Sequence, residues 1–146
     1  MKILKTISVF ILVLSFSACG QSGDKTQTTV EKEVEVITQD GETETYLAED
    51  LTAEECKALI EKGNLTIVDV RTPEECAGGM IEGAINIDFR SDDFKAKMDE
   101  LDKTKPVLVY CAAGGRSGKT KDMLHDMKFN AVYNLLGGYG NWPYKN

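Results

Sequence analysis

Histidine is almost missing from this chain: His125 is the one imidazole in 146 residues. A Cys–His hydrolase needs an imidazole within reach of its thiolate. His125 lies two turns or more down a predicted helix from the candidate nucleophile Cys111, between Asp122 and Asp126, and reads as a solvated surface residue. Paired cysteines are missing too. The chain has four Cys and no CxxC spacing, so neither a structural zinc site nor a dithiol motif is indicated, and no metal or organic cofactor is expected. Basic residues are in deficit, 17 against 24 acids for a net charge of −7, which argues against nucleic acid as a partner. A lasting membrane span is lacking as well. The apolar stretch Ile7 to Phe16, interrupted by Ser8 and Ser15, would rise about 15 Å as a helix, half of a bilayer core of about 30 Å.

What that stretch does resemble is an address. Lys2 and Lys5 precede it and Ser17-Ala18 follow it, the layout of an exported precursor. Ser17-Ala18-Cys19 resembles the cleavage box of bacterial lipoproteins, with Phe16 where that box commonly has Leu. The resemblance implies that residues 1–18 are a signal peptide and that Cys19 is diacylated as the mature N-terminus. It would tether the chain to a bacterial membrane within the cell envelope, facing the periplasm or exterior. Several acyl chains suffice for stable anchoring, at about 0.8 kcal/mol per buried methylene. Ordinary cleavage after Ser17 would instead leave Cys19 a free thiol.

Residues 19–45 read as an acidic flexible tether. Gln21 to Thr45 has no aromatic residue, and residues 20–50 hold nine acids against two lysines. Such a composition buries too little apolar surface to fold alone. Val30 to Ile37 partly alternates and fits a short strand, but an extended charged spacer is the preferred reading.

Residues 51–146 hold fifteen acids and thirteen bases, close to charge balance, and residues 46–146 carry the signature of one α/β domain. Thr52 and Glu55 form a capping box that opens a helix with Cys56, Leu59 and Ile60 on its apolar face, ended by Gly63. Leu65–Val70, Ala84–Ile87, Pro106–Tyr110 and Ala131–Leu135 are short apolar strands. Between them fall a helical turn from Pro73 that Gly78-Gly79 stops, a helix over Asp92–Leu101 and another over Ser117–Lys128. Strands alternating with helices predict a parallel β-sheet flanked by helices on both faces. Ligands in such sheets bind beyond the carboxyl ends of the strands, and Cys111 stands at one such end.

Cys111-Ala112-Ala113-Gly114-Gly115-Arg116 links a strand to a helix. Small side chains let such a loop curl with its N–H groups inward as an anion nest. The following helix adds unpaired N–H groups and a partial positive charge, and Arg116 a full one. A free thiol of pKa about 8.5 is only about 3% thiolate at pH 7, and one placed in such a loop is expected to be acidified. The alternative is a small buried Cys at a strand end, but packing alone does not call for two Gly and an Arg directly after it.

Four blocks together carry a family resemblance. They are Ile67-Val68-Asp69-Val70-Arg71-Thr72-Pro73-Glu74-Glu75, Ile81-Glu82-Gly83-Ala84-Ile85-Asn86-Ile87, Val109 to Ser117, and Asn134-Leu135-Leu136-Gly137-Gly138 with Trp142. In this order they resemble a single-domain rhodanese-like sulfurtransferase. The resemblance implies that Cys111 takes a sulfane sulfur from an anionic or persulfide donor, becomes a persulfide, and passes that sulfur to a thiol or cyanide-like acceptor. Arg116 and the loop residues Ala112, Ala113, Gly114, Gly115 and Ser117 would stabilise donor and persulfide. Asp69 and Arg71 match a pair that supports the active-site region. A redox partner protein would be needed to keep Cys111 reduced outside the cytoplasm.

The sequence departs from the family at Met80, where His is usual, and at Glu82, where Pro is usual. Ala112 and Ala113 lack the charge often found in members specialised for thiosulfate, which disfavours that donor. Cys76 takes a position often aromatic in the family, and a Cys76–Cys111 disulfide would silence or regulate the thiol. Four residues separate Cys111 from Arg116; related phosphatases use five, which sets a phosphatase or arsenate reductase behind a sulfurtransferase. Gly118-Lys119-Thr120 lacks the upstream Gly of a nucleotide P-loop, since Ala113 stands there; Lys119 is read as a helix surface charge. A non-catalytic binding or sensing module is the remaining alternative. Such modules commonly lose the Cys, which this chain keeps. Tyr139, Trp142 and Tyr144 are expected to pack the domain.

Overall fold

The computed structural model describes residues 34–37 and 43–145. The leader, Cys19 with its expected lipid, and most of the tether lie outside the described residues. In chain order the elements are β1 (Val34–Ile37), β2 (Thr43–Leu51), α1 (Ala53–Lys62), β3 (Thr66–Asp69), α2 (Pro73–Cys76), β4 (Ile85–Asn86), α3 (Phe94–Asp99), β5 (Val107–Tyr110), α4 (Gly115–Asp126) and β6 (Ala131–Leu135), with a closing 3₁₀ turn at Gly138–Asn141. The sheet order is β1-β2-β6-β5-β3-β4. β1 pairs antiparallel with β2, and the other pairings are all parallel, so the α/β reading with a central parallel sheet holds.

Alternation along β5 shows how the two faces are filled. Val107 and Val109 point to one side with Val68, Val132, Phe94 and Met98 of α3, Leu124 of α4 and Phe129. Leu108 and Tyr110 point to the other with Ile67, Leu135, Cys56 of α1 and Trp142. A strand buried on both faces reads as a continuous apolar run, which is why the sequence reveals β3 and β5 so readily. The helix starts follow from local chemistry. The Glu55 N–H donates to Thr52 Oγ1 at 3.3 Å, and the Thr52 N–H donates back to Glu55 Oε2 at 2.8 Å. Thr72 and Glu75 repeat this box at α2, where Pro73 occupies the first turn.

The structure corrects the sequence reading at several edges. Residues 34–37 and 43–45, assigned from composition to the tether, are strand. Composition cannot show that β1 and β2 complete each other's backbone hydrogen bonds. β2 went unread because residues 47–49 are only half-buried, so no apolar run marks it. α4 begins two residues earlier than expected, because Gly114, at φ 93°, turns the chain into the helix directly. It ends two residues early, where Lys128 adopts φ 67°. α3 and β4 are likewise shorter than the stretches read as helix and strand; α3 starts at Phe94, whose N–H donates to Ser91 O across a turn. Among the described residues, no helix is long and apolar enough to cross a membrane.

Candidate active site

β5 delivers Cys111 to the carboxyl edge of the sheet, where the residue is 2% exposed. The loop's carbonyls are tied away from the sulfur. The Tyr139 N–H donates to Cys111 O at 2.7 Å, and the Gly140 N–H donates to Ala112 O at 2.9 Å. With those oxygens held by the 3₁₀ turn, the opposite edge of the loop offers N–H groups to the thiol. The Gly114 N–H donates to Cys111 Sγ at 3.1 Å. Gly138, at φ 62°, makes this backing possible. A Cβ there would collide with Cys111 O and stand 2.7 Å from both Ala112 C and Ala113 N.

Ser117, buried in the first turn of α4, points its hydroxyl at the sulfur, with Oγ to Sγ at 3.5 Å. The same hydroxyl lies 3.1 Å from Gly114 O. Burial acts against ionisation of Cys111. The Ser117 hydroxyl and the main-chain N–H groups of Ser117, Ala113 and Arg116 outweigh it and hold the thiol below its ordinary pKa. The other cysteines among the described residues move the opposite way. Burial, with Glu55 beside it, pushes Cys56 up to about 12, and burial with the neighbouring Asp69 carboxylate pushes Cys76 up to about 11. All three are free thiols in the structure, so no Cys76–Cys111 disulfide is present.

Arg116 is placed differently from the expectation. It belongs to α4, not the loop, and it reaches the sulfur chiefly through its main-chain N–H. Its guanidinium is forked onto Glu75 of α2, with Nη1–Oε2 at 2.8 Å and Nη2–Oε1 at 2.7 Å. The Glu75 carboxylate raises the Arg116 pKa, and Cys111 adds to the rise by its charge and by a hydrogen bond with the guanidinium. It draws the Glu75 carboxyl down to about 2, with the Thr72 N–H assisting. Sequence reasoning assigned Glu75 only to a helix start. Nothing local could reveal its partner 41 positions away.

Asp69 and Arg71 sit behind this clamp. Asp69 is fully buried at the end of β3 and accepts from Arg71 Nε and Nη2, the latter at 2.6 Å. The remaining Arg71 donors reach Glu75 O at 3.1 Å and Gly79 O at 2.6 Å, and the guanidinium lies 4.2 Å from the Tyr139 ring centroid. Arg71 thus ties β3, α2, the following loop and the 3₁₀ turn together. Asn86 locks the same corner by donating to Asp69 O and Arg71 O. Of the expected site residues, Ala112, Ala113, Gly114, Gly115 and Ser117 surround Cys111 as loop and first turn. Asp69 and Arg71 lie one step behind.

Other residues fall elsewhere. His125 is half-buried beside Asp126, with Nδ1 to Oδ1 at 3.9 Å, so it is less solvated than expected. Lys119 is an exposed residue of α4. Met80 and Glu82, the two departures noted in the sequence, line a cleft of about 360 Å³ with Lys57, Ile60 and Trp142, and Cys111 is not among its walls. Trp142 is 5% exposed in the core, and Tyr144 packs edge-on against it while remaining 40% exposed. Among the described residues, no group of His, Cys, Asp or Glu is arranged to hold a metal ion.

Comparison with known proteins agrees with this geometry. The model of the Rhodanese-like domain matches residues 52–144. An uncharacterized protein, YqhL of Bacillus subtilis, is 39% identical over 92 residues, covering 63% of this chain and 70% of that protein. Thiosulfate sulfurtransferase GlpE of Coxiella burnetii is 32% identical over 84 residues, 58% of this chain and 77% of that protein. A solved rhodanese-like domain protein from Staphylococcus aureus superposes with a TM-score of 0.59 at 31% identity, covering 67% of this chain and 96% of that one.

Proposed function

This chain belongs to the rhodanese-like family, and from that premise we propose that it is a sulfurtransferase working through a persulfide on Cys111. The observation that carries the reading is the thiol itself, faced by N–H groups and a hydroxyl that together favour its ionised form. The thiolate attacks the outer, sulfane sulfur of a donor. The bond between that sulfur and the rest of the donor breaks, and the remainder leaves with the bonding pair. The new Cys111–S–S⁻ places its terminal sulfur among the same N–H groups. A thiol or cyanide-like acceptor then attacks that sulfur and regenerates the thiolate. The sulfur passes along at its own oxidation level, so the cycle needs no redox cofactor.

Intact-mass measurement tests the first half-reaction. Incubation with a low-molecular-weight persulfide is expected to add one sulfur atom to the wild type and none to Cys111→Ser. An unchanged mass with every donor would overturn the proposal in favour of a binding or sensing module. The sequence of residues 1–19 supports a lipid-anchored location in a bacterial cell envelope, with a redox partner keeping Cys111 reduced there.

A further inference from the structure

Between Cys111 and Gly118 the one charged side chain is Arg116, and both of its terminal nitrogens are engaged by the two carboxylate oxygens of Glu75. The pair sits at the surface edge of the site, with the Arg116 side chain 19% and the Glu75 side chain 34% exposed. The second guanidinium in the region, Arg71, is bound by Asp69 and by the carbonyls of Glu75 and Gly79. Glu75 is itself fixed from behind, since the Thr72 N–H donates to its Oε2 at 3.0 Å. Its carboxylate therefore serves as helix cap and arginine clamp at once.

On the sulfur-transfer reading, we propose that Glu75 is a specificity residue, which by holding the Arg116 guanidinium selects organic persulfides over thiosulfate as the donor. Thiosulfate carries a sulfonate that needs a countercharge while its outer sulfur is attacked. Here that end would meet a neutralised ion pair whose outer partner is a carboxylate, an arrangement that repels anions. An organic persulfide has a carbon skeleton behind its sulfane sulfur and needs no cation there. The step it undergoes is R–S–SH plus Cys111–S⁻ giving Cys111–S–S⁻ plus R–SH. The outer S–S bond breaks, a new one forms on Cys111, and the proton leaves with the departing thiol.

Glu75→Gln isolates the charge, because Gln can replace Glu in a capping box. Two measurements on the full-length wild type and variant decide the matter. The first compares alkylation of Cys111 by iodoacetate, an anion, with alkylation by neutral iodoacetamide. The second compares kcat/KM for thiosulfate with that for glutathione persulfide. Glu75→Gln is expected to raise both ratios by about tenfold, the second mainly through a lower KM for thiosulfate. Glu75→Asp, which keeps the charge on a shorter stem, should fall between the two proteins. An unchanged alkylation ratio overturns the clamp. A raised alkylation ratio with an unchanged donor ratio overturns its role in selection. If neither protein takes sulfur from either donor, the sulfurtransferase reading fails instead, while the alkylation ratio still decides whether Glu75 screens the thiol.

Discussion

At Cys111 two opposed forces meet: burial penalises the thiolate, while directed N–H and O–H donors favour it. Ser117 is the largest of the favourable contributors, ahead of any effect of the Arg116 charge. A hydrogen bond to a charged group is worth about 1.5–3 kcal/mol. Ser117→Ala is therefore expected to slow alkylation of Cys111 by roughly tenfold or more on the acid limb of the profile, where the thiol is mostly protonated. The sign follows from the direction of the shift. Because the folded thiol ionises below the ordinary range, the wild type keeps its reactivity to lower pH than an ordinary thiol does and loses it as acid re-protonates the sulfur. In Ser117→Ala the fall should begin at higher pH. Rate-against-pH profiles with iodoacetamide provide the check, and coincident profiles would remove Ser117 from the account. Cys56 and Cys76, both raised, should remain slow under the same conditions although Cys76 is the less buried.

The site depends on how neighbouring elements close around one loop. The 3₁₀ turn draws the carbonyls of Cys111 and Ala112 backward, and Gly138 lets it approach closely enough to do so. Gly138→Ala would place a methyl group against that backbone at a positive φ, and overpacking of this kind typically costs about 1–3 kcal/mol. Both a lowered urea midpoint and a raised apparent pKa of Cys111 are expected, since displacing the turn also re-aims the loop. Stability loss with an unaltered alkylation profile would show that the turn supports the fold alone. The Gly137-Gly138 pair is visible in the sequence, but its reason is not. The collision that Gly138 avoids involves residues 25 to 27 positions earlier in the chain. α2 makes the same point, because its capping box is legible at Thr72 and Glu75 while the clamp onto Arg116 is not.

Over the whole molecule, a two-faced parallel sheet brings the ends of β3 and β5 side by side, with Val68 opposite Val109 and Asp69 opposite Tyr110. That adjacency sets the Asp69–Arg71 corner beside the Cys111 loop and lets α2 reach α4. Acylation at Cys19 would hold this domain near a membrane through the intervening acidic segment. Cys19→Ser is expected to shift the full-length protein from the membrane to the soluble fraction of cells that express it. Unchanged fractionation would remove the anchor from the proposal.

The order of elements from α1 onward, the parallel sheet and the candidate thiol loop were legible in the chain by itself, because each rests on local patterning: short β-branched runs, capping boxes, and a small-residue loop between strand and helix. Three things depended on the tertiary structure. They are the β1–β2 edge, the tethering of the loop's carbonyls by the 3₁₀ turn, and the capture of the Arg116 guanidinium by Glu75. Each is a pairing between groups far apart in sequence. A residue's charge or backbone freedom can be read from its identity, but which distant group it meets is settled only when the sheet closes and places their elements in contact.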